Sequence, residues 1–219
     1  EVIQQNQDEN LLWWHAKNLD DARHMLVEVQ RAIDKGQIET ALVGGIDIGR
    51  VRDLTEMVIC GRGRGLPVRV CISLDNVEFD KQQRLLWHII TSLPFTAVLI
   101  DQNGIGMQLA ENLSRTGRAV GVDFTNPNKE LFAVEARIQA QRGNTPLPTD
   151  RDLAYQIHSI KKMVTAAKFN RFDTERNEKH HADKFWAWAL AIYAASAVQR
   201  LGQNRTEVVN RMAQITPGW

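Results

Sequence analysis

The hydrophobic period of this chain changes twice, and the order of those changes limits the folds open to it. From Asp20 to Lys35, apolar residues fall at Ala22, Met25, Leu26, Val29 and Ile33. This is the i, i+3, i+4, i+7 spacing of a one-faced helix, with acids at its start and Lys35-Gly36 at its stop. Ala41 to Ile48, Thr55 to Cys60 and Pro67 to Leu74 are then short β-rich runs separated by glycine- and arginine-rich turns. Runs so closely spaced pair as antiparallel neighbours. After Leu74 helices and strands alternate: a helix over Phe79 to Ser92, a buried strand over Thr96 to Ile100, a helix over Ile105 to Thr116 and a strand over Ala119 to Val122. That alternation implies right-handed crossovers and parallel pairing. A helix is expected from Pro127 to about Arg142 and a second short one from near Thr149. A small hairpin over Ile157 to Val164 and Lys168 to Phe172 follows, then a last helix from near His181 past Val198. The expected architecture is α/β: a mixed sheet of three antiparallel and then two parallel strands, with helices on both faces. Residues 1–36 read as a helical lead-in or linker and residues 37–219 as one domain.

A chain of 219 residues, 43% hydrophobic and 24% charged, excludes disorder and a disulfide-stapled miniprotein. The longest nearly uncharged run, Phe185 to Val198, is shorter than the roughly 20 residues that span a bilayer, and reads as a buried helix. No basic-then-apolar leader opens the sequence, so the expected compartment is cytosol and no membrane is expected as partner. Cys60 and Cys71 flank G-R-G-R-G-L-P and read as reduced packing residues, with facing across a hairpin as the alternative. The formal net charge of +1 gives no global nucleic-acid signature. The charge is uneven, however. Residues 1 to 35 hold seven acids against four bases, whereas residues 161 to 179 hold six bases against three acids.

Three acids fall where the expected fold would bring them together. Asp47 ends the first strand inside G-G-I-D-I-G, and Asp101 follows the apolar run F-T-A-V-L-I. In open α/β sheets the crevice beyond the strands' carboxyl ends is where ligands bind. Asp183 begins the last apolar helix, and counting three, four and seven residues on reaches Trp186, Ala187 and Leu190, so it should face the sheet. Taken singly, each acid also reads as a turn former or a first-turn helix acid. Three carboxylates in one low-dielectric cleft repel each other unless a hard divalent cation neutralises them, and oxygen ligands suit magnesium or manganese.

Three segments, G-I-D-I-G-R-V-R-D-L-T, L-I-D-Q-N-G-I-G-M-Q-L-A-E-N-L and H-H-A-D-K-F-W-A-W-A-L-A, resemble the three acidic motifs of the nuclease domain of phage terminase large subunits. The likeness is greatest to Mu-like phages and includes the intervening V-D-F-T-N-P-N-K-E segment. It covers about residues 41 to 200. The resemblance implies an RNase H-like fold and an endonuclease that cuts phage DNA by two-metal phosphodiester hydrolysis with weak sequence preference. It implies Asp47, Asp101 and Asp183 as ligands of two Mg2+ or Mn2+ ions, with Asp53 assisting the second. His180 and His181 would lie near the third acid, orienting a carboxylate, contacting phosphate or simply facing solvent.

The partners implied are double-stranded phage DNA, a terminase ATPase domain, the small terminase subunit and the portal, in the host bacterial cytoplasm and transiently at the procapsid. No G-x-x-x-x-G-K-[ST] phosphate loop occurs in the sequence, so no ATPase is expected in this chain. Either the chain is the nuclease part of a larger protein or it is a separate nuclease subunit. Lys161 and Lys162, with Arg171, are the expected duplex contacts, because DNA binding needs cations at its phosphates. Two other readings remain: a noncatalytic DNA-docking module on the same fold, and an actin-like ATP-binding module.

Overall fold

The computed structural model describes residues 2–49, 54–104, 106–164, 170–173 and 182–201. A short helix, α1 (Val2–Asn6), leads to a three-residue strand, β1 (Trp14–Ala16). Next comes helix α2 (Leu19–Asp34), whose N-terminus is capped by the Asn18 side chain accepting from the Asp20 and Asp21 backbone N–H groups. The meander follows as expected. β2 (Leu42–Asp47), β3 (Thr55–Gly61) and β4 (Val68–Leu74) pair antiparallel. Helix α3 (Phe79–Ser92) crosses to β5 (Phe95–Asp101), and α4 (Gly106–Ser114) crosses to β6 (Ala119–Val122). β5 lies parallel to both β2 and β6. Helices α5 (Asn126–Gln141) and α6 (Arg151–Ser159) precede a two-stranded hairpin of β7 (Lys161–Val164) and β8 (Asn170–Asp173). The last helix is α7 (Asp183–Leu201).

Two features differ from the sequence expectation. The main sheet has six strands, in the order β1-β4-β3-β2-β5-β6, because Trp14, His15 and Ala16 add a parallel edge strand to β4. Three residues without a sustained alternation carry no strand signal. The segment expected as a helical lead-in thus contains its helix and also contributes to the sheet. Second, Ile157 to Ser159 belong to α6, not to the hairpin. The Asp150 side chain caps that helix by accepting from the Asp152 and Leu153 N–H groups, and the hairpin begins only at Lys161.

Strand alternation sorts the sheet residues onto two cores. Leu42, Ile46, Met57, Ile59, Val98 and Ile100 face the layer of α2, α3 and α4. Val43, Val58, Ala97, Leu99 and Val122 face α5 and α7. Helix α7 is apolar nearly all round and buried accordingly. It lies directly on β2, where a Cβ on Gly45 would come within 2.0 Å of the Ala187 carbonyl oxygen and 2.5 Å of the Ala191 nitrogen. Gly45 opposite two alanines is what lets helix and strand backbones approach so closely. Cys60 and Cys71 are both free and buried. They do not face each other, since Cys71 is paired with Val58 and Cys60 with Val68. Among the described residues, no helix is long and apolar enough to cross a membrane.

Candidate active site

The close contact at Gly45 also places the acids. Two residues further along β2, on the same face, is Asp47; one turn back along α7 from Ala187 is Asp183. On β5, Ile100 is the register partner of Ile46, so Asp101 comes beside Asp47. By alternation it shares the α7 face with Ala97 and Leu99. Three residues from three separate segments therefore meet at the carboxyl ends of adjacent parallel strands, under the first turn of α7. Asp47 is 7% exposed and Asp101 8%, whereas Asp183 is half-buried.

Local structure holds Asp101 in place. Its Oδ1 accepts from the Asn103 N–H at 2.9 Å, and Gly104 turns the chain at φ 64°. A Cβ on Gly106 would stand 2.6 Å from the Asp101 carbonyl oxygen, so the start of α4 tolerates no side chain there. The turn role and the site role of Asp101 thus coexist. Burial, then the charges of Asp183 and Asp101, push the Asp47 carboxyl well above the usual carboxylate range; Lys129 opposes this. A positive charge at the site would favour the ionised form of Asp47.

Sequence reasoning missed the polar row that continues across the sheet. Glu56 is the register partner of Asp47 on β3, and Ser73 that of Glu56 on β4. Ser73 Oγ donates to Glu56 Oε2 at 2.9 Å and lies 3.3 Å from His15 Nε2. Burial pushes the Glu56 carboxyl up to about 7, against the pull of Lys184 and the Ser73 hydrogen bond. Lys184, the residue after Asp183, is 2% exposed. It donates from Nζ to Asp150 Oδ2 at 3.1 Å. Burial works against both ions, yet the charges of Glu56 and then Asp150 hold the Lys184 ammonium above its usual range, and that of Lys184 holds the Asp150 carboxyl below its own. A lone lysine in an apolar helix was the available signal, since a buried charge requires a partner.

The remaining expected residues divide in two groups. Lys161 and Lys162 are exposed on β7, and Lys162 Nζ lies 3.7 Å from Glu130 Oε1. Arg171 is on β8 opposite Met163, and its side chain lies outside the described residues. So do Asp53, His180 and His181.

Chemically, the donors are hard carboxylate oxygens, the kind that suit magnesium, manganese or calcium. Among the described residues, no group of three or more His, Cys, Asp or Glu side chains is arranged to hold a metal ion as it stands. Magnesium does not require such a cage, because it binds through one or two carboxylates and keeps water or substrate phosphate as further ligands. The buried pair Asp47 and Asp101, with Asp183 above, fits that mode of binding.

No protein-family model and no curated protein matches the sequence. Solved structures do match. The large terminase nuclease from thermophilic phage G20c has a TM-score of 0.62 at 17% identity, covering 70% of this chain and 81% of that one. A form of that nuclease with bound magnesium has a TM-score of 0.61 at 17% identity, covering 70% and 80%. The nuclease domain of the large terminase subunit of bacterial virus Sf6, with manganese, has a TM-score of 0.56 at 10% identity, covering 78% of this chain and 96% of that one. At such identities the likeness is one of fold, and the six-stranded mixed sheet with its flanking helices is the RNase H-like architecture of those large-terminase nuclease domains.

Proposed function

We propose that this chain is the metal-dependent DNA endonuclease domain of a viral DNA-packaging terminase large subunit. The observation that carries this reading is the meeting of Asp47, Asp101 and Asp183 at the carboxyl ends of β2 and β5 beneath α7, in a fold shared with metal-binding terminase nucleases. Asp47, Asp101 and Asp183 would hold the two Mg2+ or Mn2+ ions, with Asp53 assisting the second. When bound, the ions supply an activated water and neutralise charge on the leaving oxygen. The protein's part is to fix Asp47 and Asp101 at strand ends and Asp183 on the first turn of α7. Lys161, Lys162 and Arg171 hold the duplex through its phosphates, which carry no base information, so sequence preference is weak. His180 or His181 orients a ligand or contacts phosphate.

Residues 37–219 carry the nuclease and residues 1–36 lead into it, supplying β1 and α2 to the same sheet and core. Its relation to Mu-like phages, and its work with an ATPase domain, the small subunit and the portal in the host cytoplasm, belong to the same proposal. The test is nicking of supercoiled plasmid with magnesium or manganese and with EDTA. The parent should cut only with the divalent ion, and Asp47→Ala, Asp101→Ala and Asp183→Ala should each abolish cutting while remaining folded. A folded triad variant that cuts at the parent's rate removes that residue from the site.

A further inference from the structure

A cation lies beside the elements that carry the acids, and nothing in the proposed scheme uses it. Lys129 lies in the first turn of α5, with its Nζ 4.7 Å from the ring centroid of Trp186 and 5.2 Å from that of Phe124. Those two rings contact each other edge-on at 5.5 Å. Each belongs to a segment that also carries an acid or its neighbour. Trp186 is three residues after Asp183, on the same side of α7. Phe124 follows β6 by two residues, and Val122 on β6 is the register partner of Asp101. The aromatic ledge therefore bridges the first turn of α7 and the end of β6, and it holds the ammonium beside the two segments that carry Asp183 and the register partner of Asp101. The charge of Lys129 is felt at Asp47. Among the described residues Lys129 forms no ion pair, and it is half-buried. A lysine clamped over two rings keeps its three N–H donors in a narrow region, at little further entropic cost when an anion arrives.

We propose that Lys129 is a substrate-contacting residue that donates to a non-bridging phosphate oxygen of the DNA at the acid site. This rests on the nuclease reading. An ammonium so placed offsets the repulsion between three carboxylates and the incoming phosphodiester, and opposes the charge that grows on the phosphate oxygens during attack.

The experiment compares the full chain with Lys129→Met, Lys129→Gln and Lys129→Arg, each checked by thermal melting. Expected for Met and Gln is a cleavage rate at saturating magnesium reduced about 100-fold, with Arg within about tenfold of the parent. Binding to an intact duplex, followed by anisotropy with calcium in place of magnesium, should lose about one unit of slope in log affinity against log salt, the signature of one phosphate contact. Calorimetric Mn2+ affinity without DNA should not weaken. An unchanged salt slope with an altered Mn2+ affinity would make Lys129 a counter-charge for Asp47 and overturn the assignment. So would Met and Gln variants that cut within about twofold of the parent. A parent that never cuts with any divalent ion condemns the nuclease reading instead.

Discussion

Asp47 and Glu56 lie side by side across β2 and β3, both buried on the α7 face. Glu56 has a folded-state value of about 7 against 4.5 for the free side chain, with burial as the main cause. A group whose value is raised on folding stabilises the fold fully below its unfolded value, and that contribution is lost as pH rises through the folded one. Glu56 therefore costs the metal-free protein up to about 3 kcal/mol by the time pH has passed 7. Glu56→Gln should accordingly gain stability over the parent as pH rises from about 4.5 to 7, and the two should be nearly equal below that range. Denaturant unfolding in EDTA at stepped pH checks this, and a difference that does not vary with pH would sink it. Asp47 is raised in the same direction, so Asp47→Asn should stabilise the metal-free fold at neutral pH and lose the stabilisation that added Mn2+ gives the parent. At this scale the positions of Asp47, Asp101 and Asp183 were legible in the sequence, because strand ends and a helix start are visible there. Glu56, Lys184 and Lys129 were not, since each acquires its role from a register partner or a ring on another segment.

The elements that matter most are α7 and the strand beneath it. Gly45→Ala puts a methyl group into the Ala187 carbonyl and the Ala191 nitrogen. Backbone atoms cannot rotate away, so the helix must lift. The expected cost is about 3 kcal/mol or more, together with a loss of activity larger than stability alone explains, because Asp183 lifts with the helix. A variant melting within a degree or two of the parent would show that α7 does not bear on β2 there. The first turn of α7 is tied to α6 by the Lys184–Asp150 ion pair and by Phe185 N–H donating to Gln156 Oε1 at 3.0 Å. Lys184→Met strands the Asp150 carboxylate in the interior and should cost about 3 to 5 kcal/mol. Replacing both, as Lys184→Met with Asp150→Leu, should recover part of that loss. Double-mutant unfolding measures the coupling. Most elements could be read from hydrophobic period alone: α2, the β2-β3-β4 meander, and β5 and β6 with their crossovers. β1 could not, because three residues at a sheet edge owe their extended form to β4 rather than to their own pattern. The boundary between α6 and the hairpin was hidden for a similar reason, as Ile157 to Ser159 continue α6 and β7 is set by its pairing with β8 rather than by its own pattern.

Across the whole molecule, the balanced charge conceals a separation. Buried carboxylates gather at one end of the sheet, while Lys161 and Lys162 stand exposed on a hairpin whose strand β8 packs on α5, the helix that carries Lys129. The Lys162 partner, Glu130, is a solvent-accessible acid at 3.7 Å, an interaction worth less than about 1 kcal/mol, so replacing Lys162 should leave the fold intact. Duplex DNA approaching the acids meets repulsion that bound metal ions and nearby ammonium groups offset, and the hairpin lysines lie outside the cluster where they compete with no metal ligand. Lys161→Glu with Lys162→Glu should therefore weaken binding to every duplex tried and lower the slope of log affinity against log salt by about two units, one for each phosphate that the variant no longer neutralises. Melting temperature and Mn2+ affinity should stay at the parent's values, and cleavage at saturating DNA should fall far less than cleavage at limiting DNA. A double variant whose binding and salt slope match the parent's would make the hairpin a solvated edge and direct the search for the duplex path to other faces around α5 and α7.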